Sequence, residues 1–207
     1  MVGREPASRR TALTCQVLVP PAPVLVLLGP AATGKSTLGA LVAQRLGVPF
    51  VDLDAVADRY YPEVGWSVER LVERVGVVGR VAAEREWEPA RAHATERAVA
   101  EHPGTVLALG AGHASYTDPA QLARVRAALA SVPHVVLVLP STDREHALGV
   151  LRARSLAAKG TDWRPAGHDF LAEWFDDPGT RSLAHRTLVT GTEDPAASAR
   201  RLAAALG

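Results

Sequence analysis

Lysine is almost missing from this chain of 207 residues: Lys35 and Lys159 are its only two, among 23 Lys and Arg together. A cation that stays lysine where arginine is the default marks Lys35 for attention. Cysteine is scarcer still. Cys15 stands alone, which excludes an internal disulfide and fits a reducing, cytoplasmic setting. Nothing near Cys15 gives it a catalytic partner. Long apolar runs are absent too. None reaches the ~18 residues that a membrane-spanning helix needs, so no membrane association is expected. Charge of one sign is not in excess: the formal net charge is +1, which supplies no field toward nucleic acid or an anionic membrane. The arginines are spread along helical segments, no recognition motif is present, and no nucleic-acid partner is expected. What remains is 47% hydrophobic and 22% charged, enough to build a core of ordinary size.

Residues 1–22 read as a disordered tail, with Arg4, Arg9 and Arg10 among small residues and then Pro20, Pro21 and Pro23. No apolar run of the secretory type follows those arginines. Residues 23–207 read as one domain. Val24 to Leu28 is a continuous apolar run, suited to a strand buried on both faces. A glycine-rich turn follows, then a helix over 35–46 with Leu38, Leu41, Val42 and Leu46 at helical spacing and Gly47 as its cap. Further strands are predicted at 50–53, 105–109, 134–139 and 187–190. Residues 54–102 read as helical, broken near Pro62 and Gly65 and again over Gly76 to Gly79. Asp118-Pro119 starts a helix, Thr142 and Glu145 form a capping box for another, and Asp194-Pro195 starts the last. Gly160 to Asp169 reads as a mobile loop. Strands alternating with helices predict an α/β fold, a parallel sheet with helices on both faces.

Gly29-Pro30-Ala31-Ala32-Thr33-Gly34-Lys35-Ser36 has the spacing G-x-x-x-x-G-K-[ST], between a strand and an amphipathic helix. Gly29 and Gly34 permit the turns that aim backbone N–H groups, including those of Ala32 and Thr33, at an anion. The helix start adds its positive dipole end. Lys35 would reach the β- and γ-phosphates of ATP and Ser36 would ligate Mg²⁺. Thr37 is grouped with this nucleotide set without an assigned role. Downstream, Asp52-Leu53-Asp54 ends the second strand, at the edge of the sheet where ligands collect. Strand alternation would put both carboxylates on one side. Asp52 then assists Mg²⁺ through water, while Asp54 orients or deprotonates an acceptor hydroxyl or else caps the next helix. Asp58 lies one turn beyond, either in the same pocket or in solvent.

With these residues in place the chain resembles the shikimate kinase-like branch of the P-loop small-molecule kinases. The match includes 29–36, Asp52-x-Asp54, Gly110-Ala111-Gly112 after the third strand, Arg164-Pro165 in the loop, and the 177–206 stretch; it covers about 24–206. The resemblance implies a three-layer P-loop kinase fold with a five-stranded parallel sheet in order 2-3-1-4-5. It also implies a lid, about 155–170, and an acceptor-binding region, about 54–102. It implies that Asp54 holds the acceptor hydroxyl, that Gly110 and Gly112 let backbone approach substrate, that Arg164 is the lid arginine on the transferring phosphoryl group, and that Arg154 lies near the adenine. Two departures stand out. Ala111 replaces a middle glycine, and Trp87-Glu88 stands where the family has an aromatic and then an arginine that grips the shikimate carboxylate. A carboxylate cannot grip a carboxylate. Arg181 beside Ser182 is the candidate for a second substrate arginine, and Arg85 or Arg91 could replace the first.

Tyr60, Tyr61, Trp66 and Trp87 fall in the acceptor region; Trp163, Phe170, Trp174 and Phe175 fall in or beside the lid. Tyr and Trp walls suit the face of a sugar, cyclitol, nucleoside or antibiotic, although such rings also serve as core. His113 is a further candidate for substrate contact. The leading expectation is an ATP- and Mg²⁺-dependent phosphotransferase acting on a hydroxyl of such a small molecule, with catalytic Lys35, Asp54 and Arg164. The alternatives are an authentic shikimate kinase and a nucleotide-binding regulatory module without acceptor chemistry.

Overall fold

A computed structural model of the protein describes residues 22–206; the expected tail up to residue 21, and Cys15 with it, lie outside the described residues. Strand β1 (Leu25–Leu28) leads into α1 (Lys35–Leu46), β2 (Phe50–Asp52) and the short α2 (Leu53–Val56). Two 3₁₀ turns precede α3 (Val68–Val78), α4 (Arg80–Glu86) and α5 (Glu88–Glu101). Then come β3 (Val106–Ala108), α6 (Pro119–Leu129), β4 (Val135–Leu139), α7 (Arg144–Lys159), α8 (Phe170–Asp176), α9 (Pro178–Leu183), β5 (Arg186–Val189) and α10 (Pro195–Ala204). The five strands form one parallel sheet in the order β2-β3-β1-β4-β5.

The apolar run of β1 explains the three layers. All four of its side chains are fully buried, and they part by alternation. Leu25 and Leu27 pack with Leu38 and Val42 of α1 and Leu202 of α10, while Val26 and Leu28 pack with the cluster of α5 to α8. Each such side chain stabilises the fold by roughly 1.5–3 kcal/mol through removal from water. β1 therefore sits at the centre of the sheet, and the loop that follows it emerges between β3 and β4.

Several boundaries differ from the sequence expectation for identifiable reasons. Gly76 stays inside α3; only Gly79, at φ 82, breaks the chain there. The cap of α7 is Asp143, whose carboxylate accepts from the His146 N–H at 2.7 Å, rather than the box of Thr142 and Glu145. β2 ends at Asp52, so the alternation argument for Asp52 and Asp54 fails. Asp52 is the N-cap of α2 and accepts from the Asp54 N–H at 3.1 Å. As expected, Gly47 caps α1 in the left-handed conformation, and Asp118-Pro119 starts α6.

Candidate active site

The loop between β1 and α1 is wound so tightly that Gly29, at φ 137, has no room for a side chain: a Cβ there would lie 2.6 Å from the Val138 carbonyl oxygen. Gly34, at φ 91, caps α1 without any side-chain hydrogen bond, which leaves the first helical N–H groups directed at the loop. Ala32 also adopts the left-handed region, at φ 62, where a residue with a side chain is strained. The buried Lys35 ammonium donates to the Gly29 and Pro30 carbonyls, both at 2.8 Å, and Thr33 Oγ1 donates to Pro30 O at 3.1 Å. The result is an anion cradle with a buried cation beside it, and it fits a nucleoside triphosphate. Ser36 lies exposed on the first turn of α1. No group of three or more His, Cys, Asp or Glu that could hold a metal occurs among the described residues. One hydroxyl and one carboxylate beside bound phosphates is nevertheless the donor set that suits Mg²⁺.

A cavity of about 910 Å³ opens from this cradle toward Asp54, and a smaller one of about 250 Å³ runs from it toward the start of α10. Arg154, Ala32, Gly34 and Thr37 line both, so the cradle lies where the two meet. Thr33 lines the smaller one, together with Thr190, Glu193 and Ser198, which the sequence did not single out as nucleotide contacts.

On the larger cavity, Asp54 presents a side chain that is 57% exposed. Asp58, Tyr61, Trp87, Ala111, Gly112 and His113 line it too, as do Trp163 and Trp174. Phe170 and Phe175 are core, and Tyr60 is buried beside Glu101. Gly110 and Gly112 also make room for protein side chains. A Cβ on Gly110 would stand 1.9 Å from Asp54 Oδ1, and one on Gly112 would stand 1.9 Å from Arg91 Nη1.

Glu88 does not face the cavity. Its buried carboxylate accepts from the Thr117 N–H, the Thr117 hydroxyl and the Asp118 N–H at 2.7–2.9 Å, tying the start of α5 to the start of α6. Arg91, one turn on, is the residue that reaches the cavity. It is 3% exposed, hydrogen-bonded to Glu84 O at 3.1 Å and stacked near the rings of Trp87 and Tyr116. Arg80 lines the same wall and pairs with Glu84 at 2.5 Å. Arg91 Nε and Trp87 Nε1 are buried donors with no hydrogen-bond partner.

Two expected site arginines are elsewhere. Arg181 donates to Phe175 O at 2.9 Å and is absent from the cavity wall, and Arg85 is held in a bidentate pair by Glu173 at 2.6 and 2.7 Å. Arg164 is exposed and paired with Asp162, while its neighbour Trp163 packs edge-on against Trp174. Adjacent residues of this loop thus face opposite ways, Trp163 inward and Arg164 outward. The apolar side of α3 was also missed. Val68, Leu71, Val72 and Val75 line the cavity at i, i+3, i+4 and i+7, a spacing that was readable as one helix face.

Burial sets the protonation of the inner wall. The His113 imidazole is pushed down to about 3 by burial, with Arg91 and Lys35 adding to the effect, so it is neutral near pH 7. Burial raises the Tyr61 and Tyr116 phenols well above their ordinary range.

Known proteins resemble this chain in sequence and in fold. A model of the shikimate kinase family matches residues 31–138. A shikimate kinase of Mycobacterium avium is 31% identical over 185 residues, 89% of this chain and 94% of that protein. One from Streptomyces coelicolor is 35% identical over 137 residues, 66% and 70% respectively. Among solved structures, a shikimate kinase from Acinetobacter baumannii in complex with shikimate superposes with a TM-score of 0.60 at 22% identity, covering 87% of this chain and 90% of that one. A gluconokinase from Sinorhizobium meliloti gives 0.52 at 18% identity over 90% and 95%. At those identities the structural likeness is one of fold.

Proposed function

The chain belongs to the shikimate kinase family and is an ATP-dependent small-molecule kinase, and from that premise we propose that its acceptor is shikimate. The observation that carries this reading is Arg91. The preference for a sugar, cyclitol, nucleoside or antibiotic rested on aromatic walls and on Glu88 facing the acceptor; the aromatic walls suit a cyclic hydroxylated acid equally, and Glu88 is committed to the start of α6 instead. In its place Arg91 stands against Gly112 with Nε unpartnered, beside the equally unpartnered Trp87 Nε1. Arg80 and Arg91 against Glu84 leave that wall with one positive charge in excess. Such a wall suits the carboxylate of a small hydroxylated acid.

In this reading Lys35 and the 29–36 backbone hold the phosphates in line, and Asp54 receives the proton of the attacking hydroxyl. Ser36, with Asp52 through water, would hold Mg²⁺, which when bound neutralises charge building on the phosphate oxygens. Arg154 would sit where the phosphates and base meet. Residues 23–207 would act as one cytoplasmic domain, with the lid at about 155–170. No helix among the described residues is long and apolar enough to cross a membrane.

The test is ADP release from Mg·ATP in the presence of shikimate, measured beside sugars, cyclitols, nucleosides and aminoglycosides. Shikimate is expected to stimulate turnover most. Arg91→Lys, which keeps the charge and loses the planar fork, is expected to raise the shikimate KM by about tenfold to a hundredfold while the ATP KM holds. Strong turnover with a neutral polyol and none with shikimate would overturn the reading.

A second expectation concerns the lid. For Arg164 to reach the phosphoryl group it must leave Asp162. Arg164→Ala should therefore lower kcat by about a hundredfold, the scale of losing one charge-stabilising donor, with an unchanged melting temperature because the present pair is exposed. An unchanged kcat would assign the stabilising charge to Arg154.

A further inference from the structure

His113 stands beside Asp54 on the cavity wall, and its surroundings give it a direction. Its Nε2 lies 3.0 Å from the Tyr61 hydroxyl, and its Nδ1 lies 3.7 Å from Asp54 Oδ1. The ring is 4% exposed and nearly parallel to Tyr61, at an interplanar angle of 13°. Its main chain is pinned: His113 O accepts from Tyr116 Oη at 2.9 Å and from Thr95 Oγ1 at 3.3 Å, and His113 N–H donates to Gly110 O at 3.0 Å. Gly110 is what lets the two side chains converge, since a Cβ there would fall 2.5 Å from His113 Nδ1 and 1.9 Å from Asp54 Oδ1.

We propose that His113 is a positioning residue for Asp54, with Tyr61 O–H donating to His113 Nε2 and His113 Nδ1–H directed at the Asp54 carboxylate. It rests on Asp54 being the acceptor-side carboxylate of the proposed reaction. A neutral imidazole carries one ring proton, and the neighbours choose where. With Nε2 protonated, the Nδ1 lone pair would face a carboxylate and the Tyr61 proton would lose its acceptor. With Nδ1 protonated, both contacts are attractive. The separation is 3.7 Å here, and on this proposal it shortens to a hydrogen bond when substrate orders Asp54. Holding one carboxylate oxygen aims the other into the cavity, so the residue acts through Asp54.

Two measurements decide it. The first needs no acceptor: nitrogen-15 NMR of the histidine rings in the resting protein, with His113 assigned by its disappearance in His113→Asn. The Nδ1–H tautomer is expected, with a clear response to Asp54→Ala. An Nε2–H tautomer, or indifference to Asp54, would overturn the proposal. The second is kinetic. His113→Leu is expected to lower kcat by about tenfold to a hundredfold with both KM values and ATP binding unchanged. His113→Asn, which places an N–H near the Nδ1 position, is expected to recover most of that loss. Full activity in the Leu variant, or an Asn variant as slow as Leu, would also overturn it. If the wild-type protein does not turn over shikimate, the acceptor assignment fails and the NMR result alone settles the role of His113.

Discussion

Asp54→Asn is expected to reduce kcat by a hundredfold or more, within the ~10²–10⁴ that a positioned proton acceptor contributes, while ATP binding keeps its wild-type strength. The separation follows from where Asp54 sits. Its side chain is 57% exposed on the larger cavity, against His113 and the bare Cα of Gly110, so the exchange removes no core contact. The neighbouring carboxylate, Asp52, is the one engaged in structure, accepting the Asp54 N–H as the cap of α2. Asparagine preserves the shape of the side chain and can still accept from a hydroxyl, so the shikimate KM should move little. What it cannot do is take the proton. Isothermal titration with a non-hydrolysable ATP analogue, beside steady-state kinetics, reads the two effects apart. An equal loss in ATP affinity and in kcat would transfer Asp54 to the metal and leave the acceptor proton to another group.

The phosphate cradle was legible in the sequence because its geometry leaves few choices. Gly29 and Gly34 take backbone angles that favour glycine, and a side chain at 29 would strike Val138, so a spacing motif records a three-dimensional shape. The burial of β1 on both faces was legible for a similar reason: its run has no polar side to offer. Residues whose role depends on rotation around a helix were not legible. Glu88 and Arg91 are three positions apart on α5, which turns the second about 60° from the first. That turn sends Glu88 to the start of α6 and Arg91 to the cavity. No pattern of residue types distinguishes the two outcomes. The end of β2 was a similar case, since one residue of strand more or less decides whether Asp52 and Asp54 share a face. Arg164 was placed by resemblance, yet its present partner Asp162 is set by loop conformation that carries no periodic signal. The glycines at 110 and 112 were recognised as spaces, but what fills them became visible only when Asp54, His113 and Arg91 were seen converging there.

Lys35→Ala should abolish measurable transfer, a loss of about a thousandfold, the upper scale for removing one electrostatic stabiliser of a transition state. Here one ammonium serves two ends. In the resting form Lys35 Nζ braces the cradle by donating to the Gly29 and Pro30 carbonyls, and it is buried there. Its loss should therefore weaken ATP binding as well as slow the chemistry, the opposite signature to Asp54→Asn, and the two variants together separate the donor half of the site from the acceptor half. Lys35→Met, which keeps the apolar stem, is expected to fall as far as Ala, because the stem does not touch the phosphates. Lys35→Arg is the sharper comparison. The chain uses arginine almost everywhere it needs a positive charge, and has lysine at two of its 23 Lys and Arg positions. A guanidinium spreads its donors in a plane, whereas an ammonium radiates three from one compact nitrogen, which lets two carbonyls at 2.8 Å, and then two phosphates, gather around a single atom. Lys35→Arg should therefore recover little of the lost turnover despite keeping the charge. Recovery to near-normal turnover would show that charge alone suffices at this position, and near-normal turnover in Lys35→Ala would refute the phosphate site altogether.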